Sequence, residues 1–427
     1  MKPWAIIVIV LHLMHLVNCE PTLQYAYILY VSGDSVPTTN YNTDATDQDW
    51  QAVAVPGTEI KGQLIQTSAN DIKSIGTKTK SMAGLGISTA YDRGQVSLGY
   101  LDTQKSMKES LLAFAKGLYN DPDDVTKDLR GPGFLDSNNE CPRREKLLGL
   151  LREHPESEYR TFLREQAFNT SIEQLAAFTK TNVTADNFVD VLRDLAVHSK
   201  KLDKKKTEID AQQTKFKGYI SKSIKYRMGA FTQNLMNKGM NIGAEIKKTR
   251  INHVMEFIWL TIRGKQDCLE RSCTFLPYSK LKLSAYATNP YTIYSLLMML
   301  GQEKQAGETE GHLPSAGAHL IFELYQTGTT FEIKLSYSKT ATGAPIVLTD
   351  KISSSCSGEK CAWDTVKAAM DNFTAKLSCT TTPDEDKLFV LPVPPPMTTA
   401  ILTTTTTKLS HNPTAFITIV FCVFLFM

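Results

Sequence analysis

No Walker-type loop, no HExxH and no GxSxG occurs in this chain. Their absence removes phosphate-cradling NTPases, HExxH metalloproteases and nucleophile-elbow hydrolases from consideration. Histidine is scarce, with eight in 427 residues. No CxxC pair is present, and no histidine lies within a few residues of any cysteine from Cys141 to Cys379, so a structural zinc site lacks its ligand pattern. No metal and no cofactor are expected. An excess of one charge is missing too: 47 Lys and Arg against 44 Asp and Glu leave +3, which argues against both a nucleic-acid binder and a polyacidic substrate. Nor is there an uninterrupted apolar run long enough to span a bilayer comfortably.

The chain's two ends are apolar nonetheless. Residues 1–19 carry Lys2, an apolar run from Ala5 to Val17 broken by His12 and His15, and a small residue, Cys19, ahead of Glu20-Pro21; this is the layout of a secretory signal peptide. Residues 411–427 end in the apolar stretch Ala415–Met427 with no charge after it. A short hydrophobic tail behind small polar residues fits a glycolipid-anchor signal or a tail anchor, so membrane tethering is expected. Between core and tail, residues 381–410 are rich in Pro and Thr and read as an extended stalk. Six cysteines remain once Cys19 and Cys422 are set aside: Cys141, Cys268, Cys273, Cys356, Cys361 and Cys379. They allow fifteen pairings in a secreted chain. The spacing favours two local loops, 268 with 273 and 356 with 361, leaving Cys141 with Cys379. Asn169, Asn182 and Asn372 begin Asn-x-Ser/Thr sequons, expected to be glycosylated in the same compartment. The lysine run 200–206 is interleaved with acid and reads as the solvated face of a long helix rather than a polyanion site.

Within the body, Tyr25 to Val31 read as a buried strand that Gly33, Asp34 and Pro37 break. The C-terminal ends of strands in open α/β sheets are where ligands bind. Gly33, Asp34, Pro37 and Thr38 resemble the first signature of the histidine acid phosphatases, Arg-His-Gly-Asp-Arg-x-Pro-Thr. Further pieces agree: Gly62-Gln63-Leu64-Ile65, the helix Ser110–Tyr119, Cys141-Pro142-Arg143, Thr288–Ile293 before an apolar helix, the strand pair 318–326 and 330–338, and Cys356–Cys361 with Trp363.

The resemblance implies a mixed α/β fold, a phosphoglycerate-mutase-like sheet flanked by helices with an inserted α-helical cap. Residues 20–140 and 264–380 would form the core, and 141–263 the cap. It also implies a chemistry whose residues are gone. That family attacks a phosphomonoester with a histidine, clamps the phosphoryl oxygens with arginines and protonates the leaving alcohol with an acid. Here Val31 and Ser35 stand at the arginines of the first signature, Ser32 at the nucleophilic histidine, Tyr100 and Ser106 at the later arginines, and Asn289 and Pro290 at the second histidine and the acid. The expectation is a secreted or surface pseudophosphatase acting by binding or display. A separate reading is a carrier of a small uncharged or cationic ligand in a cleft stripped of positive charge. The alternative is an acid phosphatase with displaced catalytic residues. The partner expected is a ligand or protein of unspecified kind, not nucleic acid, with homodimerisation left open.

Overall fold

The computed structural model describes residues 20–57, 59–100, 105–119, 125, 129, 141–154, 156–228, 235–273, 277–307, 312–374 and 379, and within them the side chains of all but 247, 248 and 250–253. All of them belong to one compact unit. The signal-peptide, stalk and tail segments lie outside the described residues, as does most of 120–140. Among the described residues no helix is long and apolar enough to cross a membrane.

Strand β1 (Thr22–Val31) opens the core. It is followed by the short helix α1 (Asp47–Gln51), helix α2 (Gln66–Lys80), strand β2 (Val96–Tyr100) and helix α3 (Lys105–Leu118). A run of helices comes next: α4 (Pro142–Glu153), α5 (Glu158–Arg164), α6 (Gln166–Thr179), α7 (Phe188–Leu202) and α8 (Lys206–Met228). A minimal hairpin, β3 (Met236–Asn237) and β4 (Met240–Asn241), leads into the long helix α9 (Ile242–Glu270). The chain then returns to the sheet with β5 (Leu283–Thr288), helix α10 (Pro290–Met299), β6 (His319–Thr327), β7 (Thr330–Ser338), β8 (Ile346–Val347), β9 (Cys361–Ala362) and helix α11 (Trp363–Thr374). Helix α9 runs unbroken across residue 263, where the sequence places the end of the helical insertion.

The seven-stranded sheet has the order β2-β5-β1-β6-β7-β8, with β9 also paired to β7. β1 and β2 both lie parallel to β5, whereas β6 and β7 continue the sheet antiparallel. This is the mixed α/β sheet that the sequence implies. Residues 25–31 of β1 are wholly buried on both faces, which is why the strand reads as a continuous apolar and aromatic run instead of an alternating one. Helices α2 and α3 pack against each other at glycine. A Cβ on Gly76 would collide with the Phe114 carbonyl, and one on Gly117 with the Lys73 carbonyl, so the two backbones touch as no larger residue would permit.

The helical region has its own aromatic interior. Phe162 stacks on Phe168 at 4.1 Å between ring centroids, Phe168 meets Phe188 edge-on at 5.3 Å, and Phe188 meets Phe216 at 5.9 Å. These contacts tie α5, α6, α7 and α8 together and contribute beyond simple burial. The lysine run corrects the sequence reading. It does not lie along one long helix, because Asp203 and Lys205 adopt left-handed backbone, φ 56° and 45°, and separate α7 from α8. Lys204 pairs with Asp49 at 2.5 Å and Lys205 with Asp44 at 3.0 Å, so the turn docks onto the segment after β1.

Three disulfides form: Cys141 with Cys379, Cys268 with Cys273, and Cys356 with Cys361. They are the chemistry of an oxidising compartment. Asn169, Asn182 and Asn372 are all exposed.

Two stability outcomes follow from the packing. The first bond closes a separation of 238 residues and the third only 5; the chain-entropy treatment assigns the long loop about 5 kcal/mol. Cys141→Ala with Cys379→Ala is therefore expected to lower the thermal midpoint more than Cys356→Ala with Cys361→Ala, measured by calorimetry. Tyr30 is fully buried and stacked on Phe114 at 5.3 Å, yet its hydroxyl has no hydrogen-bond partner among the described residues. Tyr30→Phe is expected to hold or raise stability, by up to about 2 kcal/mol in urea titrations, because an unsatisfied buried hydroxyl is removed.

Candidate functional site

Register places the site. Val31 pairs with Thr288 and Tyr100 with Ala287, so three parallel strands end at nearly one level, and Ser32 and Asn289, the residues after β1 and β5, line the same space. Ser32 N–H donates to the Thr288 carbonyl at 2.9 Å. Gly33 N–H donates to Ser110 Oγ at 2.9 Å, and Ser110 in turn donates to the Ser106 carbonyl at 2.6 Å. Only glycine fits at 33: a Cβ there would lie 2.5 Å from Leu64 Cδ1 and 2.9 Å from Ser68 Cβ. The loop is held from the other side by residues 62–65. Val36 N–H donates to the Gln63 carbonyl, Gly62 N–H to the Val36 carbonyl, and Ile65 N–H to the Asp34 carbonyl, at 2.8, 3.0 and 2.9 Å.

Above these strand ends lies a cavity of about 570 Å³. Its floor brings together Ser32, Ser35, Ser106, Asn289 and Pro290. Val31 and Tyr100 do not line it. Val31 is fully buried in the sheet, and Tyr100 ends β2 half-buried. Asn289 and Pro290 are occupied with starting a helix. Asn289 Oδ1 accepts from the Thr292 N–H at 2.9 Å and from the Thr292 hydroxyl at 3.1 Å, and Pro290 takes the first helical position, where a missing N–H costs nothing.

The walls correct the expectation of a cleft without positive charge. Lys61, Lys105, Arg193 and Arg227 line it, together with Asp34, Glu59, Asp190 and Asp194. Arg227 pairs with Asp190, donates to Tyr291 Oη at 2.9 Å and sits 4.1 Å over the Tyr291 ring. The Tyr291 hydroxyl donates to Asp190 at 2.8 Å, so this arginine is committed within the wall. Lys105 Nζ donates to the Glu59 carbonyl and to Gln63 Oε1, both at 2.7 Å. Arg193 has no hydrogen-bond or ion-pair partner among the described residues. Cations and carboxylates thus alternate, and no histidine is among the described residues that line the cavity.

Asp190, Arg193 and Asp194 escaped the sequence reading. Their spacing on α7 puts them on one face, a signal available beforehand, but not which way that face would point. Asp194 accepts from the Tyr41 hydroxyl at 2.8 Å. Burial pushes its carboxyl up from 3.8 to about 6, with Asp190 and Asp34 adding to the rise and Tyr41 and Arg193 opposing it. The histidines lie elsewhere. His198 is buried edge-on to Trp50 at 5.4 Å, His319 Nδ1 lies 2.8 Å from the Gly317 carbonyl, and His312 is half-buried in the loop before β6. Among the described residues no group of three or more His, Cys, Asp or Glu could hold a metal ion.

The backbone is similar to the apo phytase of Hafnia alvei, with a TM-score of 0.56 at 13% identity over 85% of this chain and 99% of that one. It is also similar to the phytase of Citrobacter braakii, at 0.51 and 12% over 85% and 100%. The chain has the histidine acid phosphatase fold. No protein-family model and no curated protein matches the sequence. Within this fold the cavity at the ends of β1, β2 and β5 is the place where the sequence motifs converge, and the helical region supplies its charged wall.

A carboxyl raised above its ordinary value favours the folded state while protonated. Unfolded chains ionise first as pH rises from 3.8 towards about 6, so this group's contribution falls across that window and stays low above it. Urea titrations across the window are expected to show that Asp194→Asn removes this part of the decline.

Proposed function

We propose that this chain is a catalytically inactive protein of the histidine acid phosphatase fold, made in the secretory pathway, displayed outside the cell or in a lumen, and working by binding through its cleft. The observation that carries the reading is the set of residues under the strand ends. Ser32, Ser35 and Ser106 offer neutral hydroxyls, while Asn289 and Pro290 are engaged in capping α10. Phosphoryl transfer needs an activated nucleophile and charged donors aimed at the developing oxyanion charge. Serine is a nucleophile only beside a base, and neither Asn289 nor Pro290 is one. Losing one preorganised donor commonly costs about 3 kcal/mol in the transition state. Several are exchanged here at once.

The charged wall refines what such a cleft would bind. Asp34, Asp190 and Asp194 oppose a phosphate dianion, and the arginine beside Asp190 is already satisfied. A ligand with both donors and acceptors and little net charge suits the alternating wall better than phosphate does. The sequons and the tail fit the same picture, with the glycans on exposed positions and the chain held at a membrane.

A second reading has one observation in its favour. Arg193 and Asp194 place a cation and a carboxyl of near-neutral affinity in the same cavity, the parts a displaced phosphatase would use as clamp and acid. Assay of p-nitrophenyl phosphate hydrolysis at acid pH separates the two. The binding reading expects no turnover above buffer, no thermal shift with phosphate or vanadate, and no change in Arg193→Gln or Asp194→Asn. Turnover in the native protein that falls at least tenfold in both variants would establish the enzyme instead.

A further inference from the structure

Behind the cleft, on the other side of Arg193, lies a second cavity of about 340 Å³. The two share Asp34, Arg193 and Val197 as a common partition. Their linings differ. The apolar side of the second is formed by Leu192 and Ala196 of α7, Ile220 of α8, and Leu313 and Pro314 of the loop before β6, while Asp71, Lys201, Gln213 and His312 are among its polar lining. Lys200 stands at its exposed side. Arg193 is half-buried and lacks a hydrogen-bond or ion-pair partner among the described residues, although it lines both spaces. A guanidinium in such a position gains strongly from an anion that reaches it, because charge-assisted bonds strengthen away from bulk water.

We infer that this second cavity is a binding site for a monoanionic amphiphile, a single carboxylate or sulfate carried on an unbranched apolar body. Arg193 holds the anionic end at the partition, and the apolar body lies against Leu192, Ala196, Ile220 and Leu313. Asp34 and Asp71, in the same lining as Lys200 and Lys201, oppose a second negative charge on the head group. The volume equals that of about eleven waters at ~30 Å³ each, room for a chain of roughly ten carbons. The lining is about half apolar and half polar, a division that suits a ligand with one polar end and one apolar end. The inference shares Arg193 with the larger cleft, but the residues it uses from α8 and from the loop before β6 lie outside that cleft, so decanoate binding is read apart from phosphate turnover.

Isothermal titration calorimetry of the disulfide-intact protein with decanoate, decanol, acetate and inorganic phosphate tests it. Decanoate is expected to bind with a negative heat-capacity change, decanol about tenfold more weakly, and acetate and phosphate not measurably. Arg193→Gln is expected to weaken decanoate about tenfold and leave decanol unchanged, which erases the difference between them. Ala196→Phe, which fills the cavity, is expected to abolish both. Decyl sulfate set beside decanoate then separates the two anionic ends. The inference is overturned if decanoate does not bind, if Arg193→Gln binds it as tightly as the native protein, or if folded Ala196→Phe retains it. Should Ala196→Phe fail to unfold cooperatively, the Arg193→Gln comparison decides alone.

Discussion

Val31 beside Thr288 and Tyr100 beside Ala287 are pairings in a parallel ladder, and the geometry of everything above the sheet follows from them. A slip of one residue in β1 would turn each side chain of that strand to the opposite face. Because both faces are buried, the strand tolerates no such slip without exposing or colliding aromatic rings. The loops after β1 and β5 therefore leave the sheet at the same place every time. Gly33 allows Leu64 and Ser68 to approach that exit closely, so the loop after β1 is pinned by packing as well as by hydrogen bonds.

On this rigid floor the helical region lays a wall whose charges cancel. Arg227, Asp190 and Tyr291 form one closed network linking α7, α8 and α10, and Tyr41 with Asp194 forms another between the loop after β1 and α7. Both join the helices to the core through groups that would otherwise be costly to bury. Of the four cations that line the cleft, Lys105 and Arg227 are held by acceptors of the wall. Lys61 is exposed, and Arg193 lies where two spaces of different polarity meet.

Much of the fold was legible residue by residue. The β1 strand, the loop around Gly33, the hairpin of β6 and β7 and an apolar helix after Thr288–Ile293 each carried local signals, aromatic and apolar runs and turn residues; the helix itself starts earlier, at Pro290. Ser32, Ser35, Ser106, Asn289 and Pro290, singled out by their offsets from those elements, come together on the cavity floor. Val31 was placed at a strand end, while Tyr100 was placed only by counting back from the helix after it and β2 was not foreseen; the side chains of both stay out of the cavity. The lysine run was misjudged as one helix face, since its break depends on two left-handed residues that lysine and aspartate do not announce.

Sequence alone determined the strand and helix segments, the identity of the residues at the ends of β1 and β5, and the number of cysteines free to pair, because these depend on neighbours a few positions apart. Only the tertiary structure decided that Asp190, Arg193, Asp194 and Arg227 face the cleft. The spacing along α7 defines a face but not its direction, and that direction is set by aromatic packing within the helical region and by how its helices seat on the strand ends, contacts made across more than a hundred residues of chain.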